Sequence, residues 1–196
     1  MTDRERSSTK GDALFSTRRL SEFSGAGYDK GRPKSVQALW VLTSTVLVER
    51  IWCPSSVRAI VLRRFGASVG SRVLIRQGVR IHWPWKLIVG DDVWIGVDAW
   101  LLNLEPITIE SNVCISQEAM LCTGSHKADD PAFEFDNAPI HIAEGAWVAA
   151  RATVLRGVSV GRNSVVGAMA LVTRDVPDDT TVLAPQAQMT SKAPKK

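Results

Sequence analysis

The sequence has few of the residues that build disulfide scaffolds or membrane spans. Its 196 residues include three cysteines, Cys53, Cys114 and Cys122, an odd number with no Cys-x-x-Cys spacing. That leaves no disulfide framework and points to a reducing cytoplasm, with the thiols as small core residues. Residues 1–35 lack an apolar h-region, so they read as a disordered polar arm rather than a signal peptide. The best apolar run, Val36 to Val48, is too short to span a bilayer and ends at Glu49 and Arg50. No segment interleaves aromatic and basic side chains, so no nucleic-acid partner is expected. The net charge of +4 sits largely in the two ends, at residues such as Arg4, Arg18, Lys192 and Lys195, and reads as solvated charge.

What is present is a repeat. From Val69 an aliphatic residue recurs every six positions: Val69, Ile75, Ile81; Val89, Ile95, Leu101; Ile109, Ile115, Leu121; Ile142, Val148, Val154; Val160, Val166, Val172. All 15 are Val, Ile or Leu, types that make up only 48 of the 196 residues, so chance is a poor explanation. Four residues after each comes a small or Val side chain, at 13 of the 15 places; Trp85 and Glu105 are the exceptions. Gly often follows the aliphatic directly, as at Gly70, Gly90, Gly96, Gly161 and Gly167. A period of six suits neither a helix nor an alternating strand. It suits short strands joined by tight corners, three to a triangular coil, with each coil burying its aliphatics against the next.

The breaks in the repeat carry information. Coils begin at 69, 89, 109, 142 and 160, so two steps of 20 residues add two at a corner, and the step of 33 ejects a loop at 127–141. Loops on a rigid solenoid are common places for function. Ahead of the prism, residues 36–52 and 55–65 read as two helical segments broken at Pro54, within a helical cap over 36–68. The cap reading has it closing the open N-terminal end of the prism. The alternative is peripheral membrane contact, with Trp40 and Trp52 at the interface and Arg58, Arg63 and Arg64 toward headgroups. The prism is expected over 69–177, followed by a polar tail over 178–196.

A prism surface has no deep pocket of its own, so sites come from loops or from gaps between packed prisms, which favours a symmetric trimer. There are three histidines. His82 sits beside Trp83, Pro84 and Trp85; His141 sits at the loop's exit; His126 sits where the loop leaves, in Leu121-Cys122-Thr123-Gly124-Ser125-His126. An imidazole held at a strand end under a loop suits general base chemistry near neutral pH.

The hexapeptide series, with Thr123-Gly124-Ser125-His126 opening an ejected loop, resembles the hexapeptide-repeat O-acetyltransferases. The stretches Asn103 to Ile109, Asn112 to Gln117 and Met120 to His126, with Trp83-Pro84-Trp85, resemble the colanic-acid biosynthesis acetyltransferases within that class. The resemblance covers about residues 30–177. It implies a mainly β fold, the left-handed parallel β-helix, and an acetyl-CoA-dependent enzyme with no metal. It implies His126 as the base that takes a proton from a sugar, or lipid-linked sugar, hydroxyl. Asn103 is expected to orient the acceptor, or to serve a corner turn. Trp147, Ala149 and Ala150 match positions beside the thioester arm, and Ala168, Thr173 and Arg174 match positions on the pantetheine and phosphates. The residue that orients His126 is left among Asp129, Asp130 and Glu134. Leu102 stands where relatives often have Asp. Leu183-Ala184-Pro185-Gln186-Ala187 replaces the Gly-Asn-Pro-Ala-like element that often ends the prism.

Other functions compete less well. A zinc lyase built on the same prism needs three converging histidines, and no two here are closely paired. A non-catalytic scaffold would not be expected to carry a base at the loop mouth. A nucleotidyltransferase with an appended prism is not expected on length, since no Rossmann-like half is read ahead of the repeat.

Overall fold

In the computed structural model, residues 17–188 are described. Helix α1 (Lys34–Thr43) follows Pro33 and continues as a π turn over Ser44–Val48. Thr43 and Thr45 there bond back to the carbonyls of Leu39 and Val41, both at 2.8 Å, a habit that loosens regular helices. Helix α2 (Ser55–Arg64) starts directly after Pro54 and stops at Gly66, whose φ of +97° ends the turn.

The repeat then forms five three-stranded coils. The first is β1 (Ser68–Val69), β2 (Leu74–Ile75) and β3 (Arg80–Ile81); the second is β4 (Leu87–Val89), β5 (Trp94–Ile95) and β6 (Trp100–Leu102). The third is β7 (Ile107–Ile109), β8 (Cys114–Ile115) and β9 (Met120–Cys122); the fourth is β10 (Ile140–Ile142), β11 (Trp147–Val148) and β12 (Thr153–Leu155). The fifth is β13 (Ser159–Val160), β14 (Val165–Val166) and β15 (Leu171–Val172). Each strand pairs in parallel with its equivalent one coil away, giving three sheets: face A from β1, face B from β2 and face C from β3. All 15 predicted aliphatics are buried, each in register with the next, as in Ile95 with Ile115 and Ile115 with Val148. Each fully buried Val, Leu or Ile contributes about 1.5–3 kcal/mol, and the contribution repeats along the stack.

The corners explain the six-residue spacing. Three residues after most inner aliphatics the chain enters the left-handed region, at Arg72, Asp92, Asp98, Asn112, Glu118, Arg151, Asn163 and Met169 as well as at Gly78, Gly145 and Gly157. The glycines right after the aliphatics serve another purpose. A Cβ on Gly90 would stand 2.6 Å from Ser111 N, and one on Gly96 would stand 2.6 Å from Gln117 N, so here the next coil's main chain excludes a side chain. The A-to-B and B-to-C corners are regular. Both two-residue insertions, the long loop and a two-residue shortening before Val176 fall on the C-to-A edge.

Three boundaries differ from the sequence reading. Ile140 and His141, expected to close the loop, belong to β10. Strand β16 (Thr181–Val182) pairs with β14 in a partial sixth coil, so the prism's strands run beyond 177. Within the arm expected to be disordered, residues 17–33 include a 3₁₀ turn at Leu20–Glu22.

The cap completes the first coil by supplying donors to its open edge. Arg63 donates to the carbonyls of Val69 and Gly70 on face A. Arg58 donates to Ile75 on face B at 3.1 Å, and also to Val48 and Arg50. The Trp40 indole N–H donates to His82 at 2.9 Å and Ile81 at 3.2 Å after face C. Trp40 and Arg58 are 1% and 3% exposed. They therefore do not face lipid, as the membrane alternative required; they satisfy backbone groups that a bare edge would leave open.

Candidate active site

Residues 17–29 and 125–136 form one compact unit, and the helices and prism form another. In the prism unit the loop leaves after Gly124 and returns at Asn137, and the Ala138 N–H bonds the Thr123 carbonyl at 3.1 Å to close the stem.

The loop itself is a small hairpin. Lys127 N–H donates to Glu134 at 2.9 Å, and Asp136 N–H donates to Ser125 at 2.8 Å. Asp130 caps the tip by accepting from the N–H groups of Ala132 and Glu134. Phe133 adopts φ +54°, a costly conformation for a bulky residue. It directs the Phe133 carbonyl to His126 Nδ1 at 2.6 Å. A carbonyl can only accept, so Nδ1 carries a proton, and in the neutral ring the lone pair is left on Nε2. The imidazole is stacked on Phe133, with centroids 4.2 Å apart and planes 4° apart, and lies against Phe135 at 5.0 Å. Phe23 from the arm meets it edge-on at 5.7 Å.

None of Asp129, Asp130 and Glu134 orients His126; the main chain of Phe133 does. Asp130 is used at the tip. Glu134 Oε1 accepts the Ser24 hydroxyl and N–H, each at 2.7 Å, and these bonds hold its carboxyl below the usual range. The arm is thereby tied to the hairpin, with Arg19 N–H also donating to Pro131 at 2.7 Å.

In the prism unit, Trp147, Ala149, Ala150 and Ala168 come together. Trp147 faces outward on face B, half exposed, and its indole N–H donates to Ser116 Oγ at 2.8 Å. Ala149 and Ala150 form the next corner, and the Ala150 carbonyl accepts the Met169 N–H at 3.0 Å, which stacks Ala168 on Ala150. Small side chains bring the main chain close to the surface beside an exposed indole, a track that suits an extended thioester arm. Thr173 and Arg174 are exposed but lie across β15, on the C-to-A edge.

Asn103 corrects the acceptor expectation. Its side chain is 0% exposed; Oδ1 accepts the Trp83 N–H at 2.9 Å and Nδ2 donates to the Trp83 carbonyl at 2.5 Å. Its amide extends the ladder between coils and presents nothing to a ligand, and it is not among the positive-φ corner residues. His141 points outward on face A and bonds Glu110 at 2.8 Å. His82 packs edge-on to Trp83, and burial, with Lys30 and Lys86 nearby, lowers its pKa.

A parallel prism of hexad coils with an ejected histidine loop defines a class, the left-handed β-helix acyltransferases. The fold matches a solved hexapeptide-repeat acetyltransferase, VCA0836 of Vibrio cholerae O1 biovar eltor, complexed with acetyl coenzyme A. Its TM-score is 0.71 at 24% identity, over 81% of this chain and 86% of that one. The sequence is 40% identical over 162 residues to the protein named "Putative colanic acid biosynthesis acetyltransferase WcaF" of Escherichia coli (strain K12), covering 81% of this chain and 87% of the relative. It is 26% identical over 129 residues to the Galactoside O-acetyltransferase of the same strain, covering 63% of this chain and 64% of that protein. No family model matches the chain. The chain belongs to the hexapeptide-repeat acetyltransferases, the family of the 40%-identical relative, and is an acetyltransferase.

Proposed function

We propose that this acetyltransferase moves the acetyl group of acetyl-CoA to a sugar hydroxyl of an exported polysaccharide, free or lipid-linked, with His126 as general base. The observation that carries the reading is the Nδ1 bond to the Phe133 carbonyl. With the proton fixed on Nδ1, Nε2 takes the acceptor's hydroxyl proton as its oxygen attacks the thioester carbonyl. The tetrahedral intermediate then collapses, breaking the C–S bond, and the imidazolium returns the proton to the departing thiolate. No acyl-enzyme forms.

The coenzyme arm runs along Trp147, Ala149, Ala150 and Ala168, with Thr173 and Arg174 toward its phosphates; a guanidinium suits that anionic end. The sugar class is supported by the names of the relatives, galactoside and colanic acid acetyltransferases. The working form is a homotrimer in the cytoplasm. Outward apolar side chains on the flat faces, Trp94 at 60% and Leu171 at 63% exposed, support packing of prism on prism.

The test is thiol release from acetyl-CoA over a panel of sugars. His126→Ala is expected to bind acetyl-CoA normally and to lose about 10²–10⁴-fold in kcat. A variant that keeps wild-type kcat removes His126 from the mechanism.

A further inference from the structure

The first helical segment is apolar around much of its circumference, yet the prism covers only a narrow stripe of it. From Ser35 to Val48 there is no charged residue. The buried positions are Trp40, Ser44 and Val48, one residue in four along a single line. Leu39, Leu42 and Val46 lie on another face, 55%, 60% and 50% exposed, and Ile51 and Trp52 follow at 79% and 64%. A helix of this composition is ordinarily buried all round.

Two further features accompany the exposed face. The threonine hydroxyls of the segment bond within the helix, Thr43 to Leu39 and Thr45 to Val41. Those two side chains therefore offer less to water. The flanks are basic, since residues 30–65 contain seven Lys or Arg against one acid, Glu49. Lys34 stands in the first turn and Arg50 stands directly after the segment, both exposed. No helix among the described residues is long and apolar enough to cross a membrane. An uncharged, largely apolar helix between cations, with a Trp at its end, has the chemistry of an element that lies in an anionic bilayer surface.

We propose that residues 34–52 dock this enzyme on an anionic phospholipid surface, with Leu39, Leu42, Val46, Ile51 and Trp52 in the headgroup–acyl boundary and Lys34 and Arg50 against lipid phosphates. Trp40, Arg58 and Arg63 stay with the prism, so docking leaves the capped edge intact. The inference does not rest on which sugar is acetylated.

The experiment is co-sedimentation of the full chain with vesicles of phosphatidylcholine, with and without phosphatidylglycerol, at low and high salt. The wild type is expected to bind the anionic vesicles at least about tenfold more tightly, and to lose that preference in high salt. The variant Leu39→Gln/Leu42→Gln/Trp52→Gln is expected to bind roughly a hundredfold more weakly. The variant Lys34→Gln/Arg50→Gln should lose mainly the preference for anionic vesicles. Both should keep wild-type melting and wild-type thiol release with a soluble acceptor, so a failure of the catalytic reading would be visible separately. Absence of vesicle binding by the wild type overturns the proposal, as does equal binding by the triple glutamine variant. An oligomer that this variant breaks apart, with no vesicle binding, overturns it in favour of a contact between copies.

Discussion

Replacing Asn103 separates two roles that its place in the chain does not distinguish. The amide is fully buried and makes two bonds to the main chain of Trp83, one coil below. Asn103→Ala withdraws Oδ1 from the buried Trp83 N–H and one of two donors from its carbonyl, which keeps the Lys86 N–H at 3.0 Å. At roughly 1–3 kcal/mol for each bond withdrawn from a buried group, the loss is about 3 kcal/mol. For a domain of this size that lowers the melting midpoint by about 6–12 °C. Asn103→Asp keeps the acceptor but sets a carboxylate against the Trp83 carbonyl, so it is expected to be at least as damaging. The assay pairs thermal unfolding by circular dichroism with acceptor KM measured well below the midpoint. A clamp predicts a lower midpoint and a nearly unchanged KM. An acceptor KM raised tenfold or more, with an unmoved midpoint, would refute the reasoning and return Asn103 to the substrate.

The other tests follow the same physics. His82 has a folded-state pKa held below its unfolded value, first by burial and then by the charges of Lys30 and Lys86. The unfolded chain therefore takes up the proton first, and stability falls as pH drops from about 6.5 toward the depressed folded value; melting against pH should show that slope, and His82→Gln should flatten it. Arg58→Met removes three bonds to main-chain carbonyls and should cost about 3–5 kcal/mol, at roughly 1–3 kcal/mol for each buried acceptor left without its donor, with amide exchange rising first at Leu74, Arg76 and Arg80; unchanged exchange in that coil would contradict the capping role. Gly96→Ala places a Cβ 2.6 Å from Gln117 N and should cost about 1–3 kcal/mol in a urea unfolding series.

The period of six makes the core legible in the residues alone, because a stacked coil repeats one environment many times and marks it with one residue type. The cap is legible from Pro54 and the apolar run. What the sequence hides are contacts made by groups that every residue has. The partner of His126 is a backbone carbonyl, so no choice among Asp129, Asp130 and Glu134 could reach it; the left-handed φ at Phe133 that aims it leaves no mark in the residue type. Arg58 and Trp40 read equally well as interfacial or structural residues, since their composition is the same whether they meet lipid or carbonyls. Asn103 does carry a signal. It stands 20 residues after Trp83, the coil step itself, which places the two side by side. In the arm, Phe23 and Tyr28 are aromatic residues in a polar stretch, a mark of packing, and both meet Phe135 edge-on.

All the irregular corners share one edge of the prism, and that edge works as a linear scale. Neighbouring strands stand about 4.8 Å apart, so each coil is one graduation. The loop stem at Gly124 belongs to the third coil, and Thr173 and Arg174 close the fifth, two graduations away. The distance between them is thus fixed by counting coils rather than by the shape of a loop. A gene that gained or lost one coil between them would slide Thr173 and Arg174 by a single step along the axis, without tilting them. In such a protein, spacing along this edge changes only in whole units.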